Sequence, residues 1–169
     1  MAQAGILAED DRVELLHGEL VEMTPIGSRH AACVNRLNRL FSRQIGERVL
    51  VSVQNPIRLG EHSEPQPDLM LLRPRPDDYA QAHPEAAEAL LIVEVADTSM
   101  EVDRQVKVPL YARAGLREVW LVDLAGGTVE VYRNPSPEGF ARVQRFSRGQ
   151  SLSPIALPEW VIAVNDILG

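Results

Sequence analysis

The chain has 169 residues, of which 45% are hydrophobic and 24% charged, and its formal net charge is −7. Its length suits one domain with a single core over residues 1–169, and its acidic balance argues against a broad non-specific nucleic-acid surface without excluding nucleic acid as a substrate. No apolar run nears the roughly 20 residues that span a membrane, and a single cysteine, Cys33, excludes an intramolecular disulfide.

The first half of the chain predicts a hairpin, a long helix and two strands. Its first five residues lack the basic and apolar regions of a signal peptide, so we expect a cytoplasmic protein. A His17-Gly18 turn joins the strands of the hairpin, and an apolar stripe marks the helix, with Ser28 as its N-cap and Gly46 at its end. The predicted ranges are 13–16 and 19–23 for the hairpin, 29–46 for the helix, and 49–53 and 68–72 for the strands, with 57–59 continuing the first strand.

The second half of the chain predicts one buried strand, a helix and further strands. Residues 73–88 form a connection longer than the usual ~4–6 residues, and such loops are often functional. Strand 89–96 is apolar on both faces except at Glu94, which is typical of a covered central strand. Pro109 lies inside a helix predicted at 101–114, so we expect a kink there. Strands follow at 118–123, 128–133 and 141–146, and the tail packs through Trp160 and Val161.

This order predicts an α/β fold with a mixed sheet flanked by helices, an N-terminal hairpin and a C-terminal β extension. If the strands before and after the long connection pair antiparallel, Asp68 and Glu94 converge at one sheet edge. A buried carboxylate is costly unless it is paired or metal-bound. Two carboxylates with a nearby carbonyl, most simply that of Val95, suit Mg²⁺ or Mn²⁺. The alternative is that Glu94 lies on the polar face of an edge strand.

Lys107 is the one lysine among 17 basic residues, the rest being arginine. It lies on the helix after the Glu94 strand, and helical side chains lean towards the helix N-terminus, so its ammonium can return to the carboxylate edge. There it could orient an attacking water molecule or stabilise charge on the transition state. The alternative is a surface lysine paired with Asp103. Asp97 and Asp103 could form hydrogen bonds that orient the metal ligands. Helix capping and an ion pair with Lys107 explain the presence of these two aspartates equally well.

His30 is a fourth catalytic candidate, and it too has two interpretations. It lies in the first helical turn towards the apolar stripe, where it could contact water or phosphate, or be a satisfied histidine at the core edge. The opposite face of the helix carries Arg36, Arg39 and Arg43. The simpler interpretation is that this face is solvated, and the alternative is that it contacts the phosphates of a nucleic acid. Cys33 is better explained as a small core residue than as a nucleophile.

The ordered set of these residues resembles a known group. Pro67-Asp68, the strand with Glu94, the Asp103-to-Lys107 segment and the stretch from Tyr111 to Gly115 look like the Uma2 family of restriction endonucleases, within the PD-(D/E)xK nuclease superfamily. Stretches 14–23, 28–30 and 119–123 fit too, so the resemblance covers residues 10–135. The superfamily lysine stands two residues after the acid, where this chain has Ala96. In the Uma2 family it has moved to the following helix, which matches Lys107.

The resemblance implies a restriction-endonuclease-like core for this α/β fold and metal-dependent hydrolysis of phosphodiesters, with DNA as the expected substrate. It makes Asp68 and Glu94 ligands of Mg²⁺ or Mn²⁺ and Lys107 the catalytic lysine. Such nucleases are commonly dimers, so we expect a homodimer by analogy. Two alternatives stay open: a catalytically silent nuclease-like protein that binds nucleic acid or a partner protein, and a structural core with chance carboxylates.

Overall fold

The computed structural model describes residues 11–169. The expected absence of a signal peptide concerns residues 1–5, which lie outside the described residues. Among the helices of the described part of the chain, none is long and apolar enough to cross a membrane.

Strands and helices alternate along the described residues. The strands are β1 (Val13–Leu16), β2 (Glu19–Glu22), β3 (Leu50–Val53), β4 (Leu69–Leu72), β5 (Ala89–Ala96), β6 (Glu118–Asp123), β7 (Thr128–Ser136), β8 (Gly139–Ser147), β9 (Ser151–Leu152) and β10 (Ile162–Ala163). The α-helices are α1 (Ser28–Ile45), α2 (Met100–Val102), α3 (Val108–Arg113) and α4 (Val164–Leu168). Short 3-10 turns occur at Gly46–Arg48 and Ala86–Glu88, and a π-helical turn occurs at Asp103–Lys107.

A mixed sheet of six strands forms the centre of the molecule, in the order β3-β4-β5-β6-β7-β8. Strands β5 and β6 run parallel, and the other neighbours in this sheet are antiparallel. The pairs β1–β2 and β9–β10 form two small separate sheets, which are the predicted hairpin and the C-terminal extension. The predicted α/β fold with a mixed sheet and flanking helices is confirmed.

Helices cover both faces of the sheet, so β5 is buried along nearly its whole length. Side chains alternate across a strand. Leu91 and Val93 of β5 therefore pack with the apolar residues of α1 and α4, while Ile92 and Ala96 pack with those of α3. Glu94 lies on the same face of β5 as Ile92 and Ala96, so its side chain points towards the helical segment that follows β5.

Helix α1 forms because its apolar residues recur at helical spacing and bury one stripe, which consists of Cys33, Val34, Leu37, Phe41 and Ile45. The predicted N-cap is wrong, since Ser28 is already helical, Gly27 precedes it, and no side chain caps the first turn. Gly46 ends the helix as predicted, with a φ of 57° that favours glycine.

Two other segments differ from the prediction. The expected continuation of β3 is wrong, because Pro56 has no N–H for a strand ladder and Arg58 instead forms an isolated bridge with Glu85. The tail packs through Trp160 as predicted, but Val161 is 64% exposed. Successive side chains of an extended segment point to opposite sides, so only one of the two neighbours can face the core.

The helix predicted over residues 101–114 consists of three segments: α2, the π turn and α3. At the last junction the Val108 N–H donates to the Asp103 carbonyl, five residues earlier. Pro109 follows and has no N–H to donate, so the expected disturbance takes the form of a π-helical turn. The turn contains both Asp103 and Lys107, and such turns are frequent at functional sites.

Candidate active site

Asp68 and Glu94 lie side by side at one edge of the sheet. Strands β4 and β5 pair antiparallel, which fulfils the condition set in the sequence analysis, in a register that places Leu69 opposite Val93. One step further along, Asp68 therefore lies across from Glu94. Directly opposed residues have Cβ atoms about 4.5–5.5 Å apart. The fold thus brings together the two carboxylates that the sequence singled out.

Hydrogen bonds orient one oxygen of Asp68 and leave the other accessible. Its Oδ2 accepts the Val95 N–H at 2.8 Å and lies 3.0 Å from His30 Nε2. Its Oδ1 receives, among the described residues, one long contact of 3.5 Å from Gln54 Nε2. The N–H and C=O of one strand residue point to the same side, so the Val95 carbonyl also faces this edge. Asp68 Oδ1 and the Val95 carbonyl are therefore placed to bind a cation.

Glu94 is a carboxylate in the buried interior, with an exposed fraction of 2%. Its Oε1 accepts a hydrogen bond from the Tyr111 hydroxyl at 2.6 Å and lies 3.4 Å from Lys107 Nζ. Burial raises the pKa of Glu94 to about 8; the charge of Lys107 opposes this rise, and those of Asp103 and Asp68 add to it. Its Oε2 accepts no hydrogen bond from residues 11–169, so this oxygen can take a further ligand.

Lys107 is buried, with an exposed fraction of 7%, so its interpretation as a surface lysine is wrong. Its Nζ lies 2.8 Å from Glu14 Oε1, 3.4 Å from Glu94 Oε1 and 4.0 Å from Asp103 Oδ1. Burial acts to lower the pKa of Lys107, but these three carboxylates outweigh it and raise the pKa, so the ammonium stays charged. An ammonium has three N–H donors. Two suffice for Glu14 and Glu94, and the third can reach water or a substrate.

Glu14 is a site residue that the sequence interpretation missed. Its Oε1 accepts the Gln66 N–H at 2.8 Å as well as contacting Lys107. Glu14 and Leu16 are the two buried residues of β1. Residues two apart lie on the same face of a strand. The position of Glu14 two residues before the apolar Leu16 could therefore have predicted that Glu14 is buried.

His30 reaches the cluster from the first turn of α1. Burial acts to lower the pKa of His30, but Asp68 outweighs it, with a smaller contribution from the Val95 backbone, and the pKa is raised. Its Nδ1 is buried and, within the described part of the chain, has no hydrogen-bond partner of normal geometry. Buried nitrogens are rarely left without a partner. His30 therefore contacts the site through Nε2, while its Nδ1 is enclosed by the protein.

The two aspartates with open interpretations take different positions. Asp97 forms an ion pair with Arg29, at 3.2 Å between Oδ1 and Nη1. Asp103 accepts a hydrogen bond from the Ser99 hydroxyl at 2.6 Å and faces Lys107 from the same π turn. Burial raises the pKa of Asp103, against the opposing charge of Lys107. Asp103 is therefore part of the buried cluster, whereas Asp97 belongs to its rim.

The arginine face of α1 is not uniform. Arg39 and Arg43 are exposed, as predicted for a solvated face. Arg36 is half-buried and donates from Nε to the Ile167 carbonyl at 3.1 Å and from Nη2 to the Leu168 carbonyl at 2.7 Å. The solvated-face prediction is wrong for Arg36, because α4 packs against α1 and brings its carbonyl groups to this side chain.

The cluster contains more carboxyl groups than basic side chains. Its buried carboxylates are those of Glu14, Asp68, Glu94 and Asp103, around the single lysine Lys107. Among residues 11–169, no group of three or more His, Cys, Asp and Glu side chains is arranged to hold a metal ion. A cation would thus depend on Asp68, Glu94 and the Val95 carbonyl. These oxygen donors fit a hard divalent cation, and the charge of such a cation would favour the ionised form of Glu94.

Buried carboxylates elsewhere in the chain are balanced by arginine. Glu118 accepts two hydrogen bonds from Arg133, at 3.0 and 2.7 Å. Glu130 pairs with Arg104 at 2.8 Å and with Arg145 at 2.7 Å. A structural carboxylate is thus neutralised where it is buried, which sets the Asp68–Glu94 edge apart.

The whole chain is similar to a protein family. Residues 2–165 match the sequence model of Uma2, which is described as "Putative restriction endonuclease". The chain belongs to the Uma2 family. The match extends past residues 10–135 and takes in the C-terminal extension of this Uma2 protein. No curated protein is significantly similar to it in sequence.

Two solved structures match most of this Uma2 protein. The crystal structure of a "putative nuclease" from Anabaena variabilis matches with a TM-score of 0.74 and 18% sequence identity, over 98% of this chain and 94% of the other. The type IIG restriction endonuclease BpuSI matches with a TM-score of 0.49 and 14% identity, over 86% of this chain and 17% of that enzyme. The first similarity confirms the predicted nuclease fold.

Proposed function

We propose that this Uma2 protein is a metal-dependent endonuclease that hydrolyses phosphodiester bonds, with DNA as its substrate. The observation that carries the proposal is the excess of buried carboxylates around Lys107 at the Asp68–Glu94 edge. Family membership and the nuclease fold support the same class of reaction. A fold by itself does not define an activity, so the chemistry of the site supplies the argument.

In this proposal, Asp68, Glu94 and the Val95 carbonyl hold Mg²⁺ or Mn²⁺. When bound, the cation would polarise the phosphodiester and favour attack by water. Hydrogen bonds from Val95 and His30 orient the Asp68 carboxylate, and the Tyr111 hydroxyl orients that of Glu94. Such bonds to ligating groups set their direction and strengthen binding.

Lys107 and His30 act on the substrate side of the site. Glu14 and Glu94 hold the Lys107 ammonium, which keeps a third N–H for a water molecule or a phosphate oxygen. A fixed positive charge at that point stabilises the charge that develops on the phosphate. His30, whose Nε2 lies 3.0 Å from Asp68 Oδ2, positions water or phosphate beside that carboxylate.

Three wider expectations accompany the proposed activity. Restriction endonucleases act on DNA, which makes DNA the preferred substrate over RNA. A homodimer is expected by analogy with nucleases that cut two strands. A cytoplasmic location is expected from the sequence, in which the single thiol, Cys33, needs no oxidising compartment.

Cleavage by the purified full chain tests the proposal. Supercoiled plasmid, single-stranded DNA and RNA are each incubated with Mg²⁺, with Mn²⁺ or with EDTA. We expect the chain to cut DNA with either metal and to leave it intact with EDTA. Asp68→Asn is expected to abolish cleavage because one ligand loses its charge.

Matched variants separate this activity from a contaminating nuclease. Glu159→Gln removes an exposed carboxylate outside the cluster and is expected to cut like the unchanged chain. If Asp68→Asn, Lys107→Ala and the unchanged chain cut equally well, or if none cuts any substrate, the enzymatic proposal is wrong. Binding of nucleic acid without cleavage by the unchanged chain would favour the catalytically silent alternative.

A further inference from the structure

A cavity of about 210 Å³ lies beside the first half of α1. Its lining residues are Arg29, Ala32, Arg36, Leu124, Arg148 and Leu168. Positions 29, 32 and 36 recur at the spacing of one helical face, so α1 supplies one wall. The volume far exceeds the roughly 10–15 Å³ that a single water molecule needs. Three of the six lining residues are arginine and none is acidic.

Two of these arginines donate to main-chain carbonyls. Arg36 bonds the carbonyls of Ile167 and Leu168, and Arg148 Nη2 bonds that of Gly169 at 3.0 Å. The Ile167 and Leu168 carbonyls orient the Arg36 guanidinium but carry no full charge to cancel it. The bonds therefore hold both side chains against the cavity, and the positive charge of Arg36 stays available to an anion.

Arg29 connects the cavity to the candidate active site. It pairs with Asp97 at 3.2 Å and donates to the Leu124 carbonyl at 3.0 Å. Asp97 directly follows β5 and Leu124 directly follows β6, so the cavity opens at the carboxyl ends of the two parallel strands. Glu94 lies close to that end of β5, and His30 is the next residue after Arg29 on α1. The cavity and the carboxylate cluster therefore share one end of the sheet.

We propose that this cavity binds a backbone phosphate of the nucleic acid, next to the phosphodiester that is cut. The inference rests on the proposed function and adds a binding site to it. Guanidinium groups match phosphate oxygens through paired hydrogen bonds, and three arginines line this cavity, of which Arg29 also pairs with Asp97. With a net charge of −7 the chain lacks a broad positive field, so a localised phosphate contact is the means of holding the strand.

Salt-dependent binding of a duplex tests this site. The full chain carrying Asp68→Asn, which does not cut, is mixed with fluorescently labelled duplex DNA, and anisotropy is measured over a range of salt concentrations. Adding Arg148→Gln or Arg29→Gln is expected to weaken binding and to lower the slope of log affinity against log salt by about 0.9 for each lost phosphate contact. Arg43→Gln removes an exposed arginine of α1 that does not line the cavity, and its slope is expected to match the parent.

The outcomes distinguish this inference from the proposed function. Equal slopes for Arg148→Gln, Arg43→Gln and the parent overturn the phosphate site even if the unchanged chain cuts DNA. The expected arginine dependence supports the site even if the unchanged chain cuts nothing, which would overturn only the enzymatic proposal. Inorganic phosphate is titrated calorimetrically as a second arm. If the protein binds inorganic phosphate saturably but does not bind DNA, the cavity is a phosphate site and the proposal that it binds a nucleic-acid backbone is wrong.

Discussion

Glu14 of the hairpin and Lys107 of the π turn meet with 2.8 Å between Oε1 and Nζ. The same oxygen accepts the N–H of Gln66, two residues before Asp68. One carboxylate thus connects the hairpin, the segment that leads into β4 and the helical segment after β5. The position of the Lys107 ammonium therefore depends on a residue outside the central sheet.

Replacing Glu14 tests this dependence. Glu14→Gln keeps the shape of the side chain but removes the charge that holds Lys107. A misplacement of about 1 Å can cost roughly 100-fold in rate, so we expect a fall in kcat of that order with DNA affinity unchanged. Single-turnover cleavage and equilibrium binding measure the two quantities. Glu19→Gln, on the exposed strand of the same hairpin, is the control, and equal rates for the two variants would contradict the role of Glu14.

Replacing Lys107 by arginine tests whether charge alone is enough. A guanidinium is planar and larger than an ammonium, so it does not fit the buried position between Glu14 and Glu94 in the same way. We expect Lys107→Arg to lower the cleavage rate by about 100-fold or more, as for loss of a catalytic group. Circular dichroism establishes that the variant is folded. Cleavage by a folded Lys107→Arg protein at the original rate would show that the compact ammonium is not required.

Removal of divalent metal is expected to lower stability as well as activity. A cation that binds only the folded chain stabilises it by about 2.7 kcal/mol at 100 times its Kd. The melting temperature should therefore rise with Mn²⁺ and fall again with EDTA. Asp68→Asn should lose most of this shift, and Glu159→Gln should keep it. The same shift in Asp68→Asn would place the bound metal somewhere other than the Asp68–Glu94 edge.

Glu130 is expected to contribute to acid sensitivity away from the site. Burial acts to raise the pKa of Glu130, but Arg104, Tyr132 and Arg145 outweigh it and lower the pKa below its usual 4.5. A carboxyl whose folded pKa lies below its unfolded pKa stabilises the fold above the unfolded pKa, and this stability is lost as pH falls through the folded pKa. Glu130→Gln should therefore lower the free energy of unfolding at neutral pH by about 2 kcal/mol, the contribution of hydrogen bonds to a charged group.

Urea denaturation of Glu130→Gln at neutral pH and at several values below pH 4.5 measures this effect. The difference from the unchanged chain should shrink as the pH falls. Glu138→Gln, in the exposed turn between β7 and β8, serves as the control. A difference that stays constant across the acid range would mean that the charge of Glu130 contributes nothing.

Cys33 is expected to be unreactive in the folded chain. The side chain is fully buried, and burial raises the pKa of the Cys33 thiol to about 11. The thiolate is the reactive form, so a thiol reagent at mildly alkaline pH should modify the protein slowly. Mass spectrometry with and without guanidinium chloride follows the modification. Rapid labelling without denaturant would contradict the burial of this residue.

Local patterns in the sequence were sufficient for most of the fold. The stripe that runs through Leu37 and Phe41 predicts α1 because helical periodicity is a property of neighbouring residues. The run around Glu94 likewise predicts a covered central strand. Order and spacing predict that Asp68 and Glu94 meet if their two strands pair antiparallel, and the structure supplies that pairing.

The tertiary structure decided which charges are compensated. The residues next to Glu14 in the sequence do not show whether its side chain faces solvent or Lys107. Packing of the hairpin against distant segments buries it. Arg36 has the spacing of a solvated face, but α4 docks on it from the far end of the chain. Burial and pairing of charges depend on contacts between distant segments, which no local periodicity encodes. The sequence therefore determined the elements and the candidate ligands, and the tertiary structure alone determined the charge balance around them.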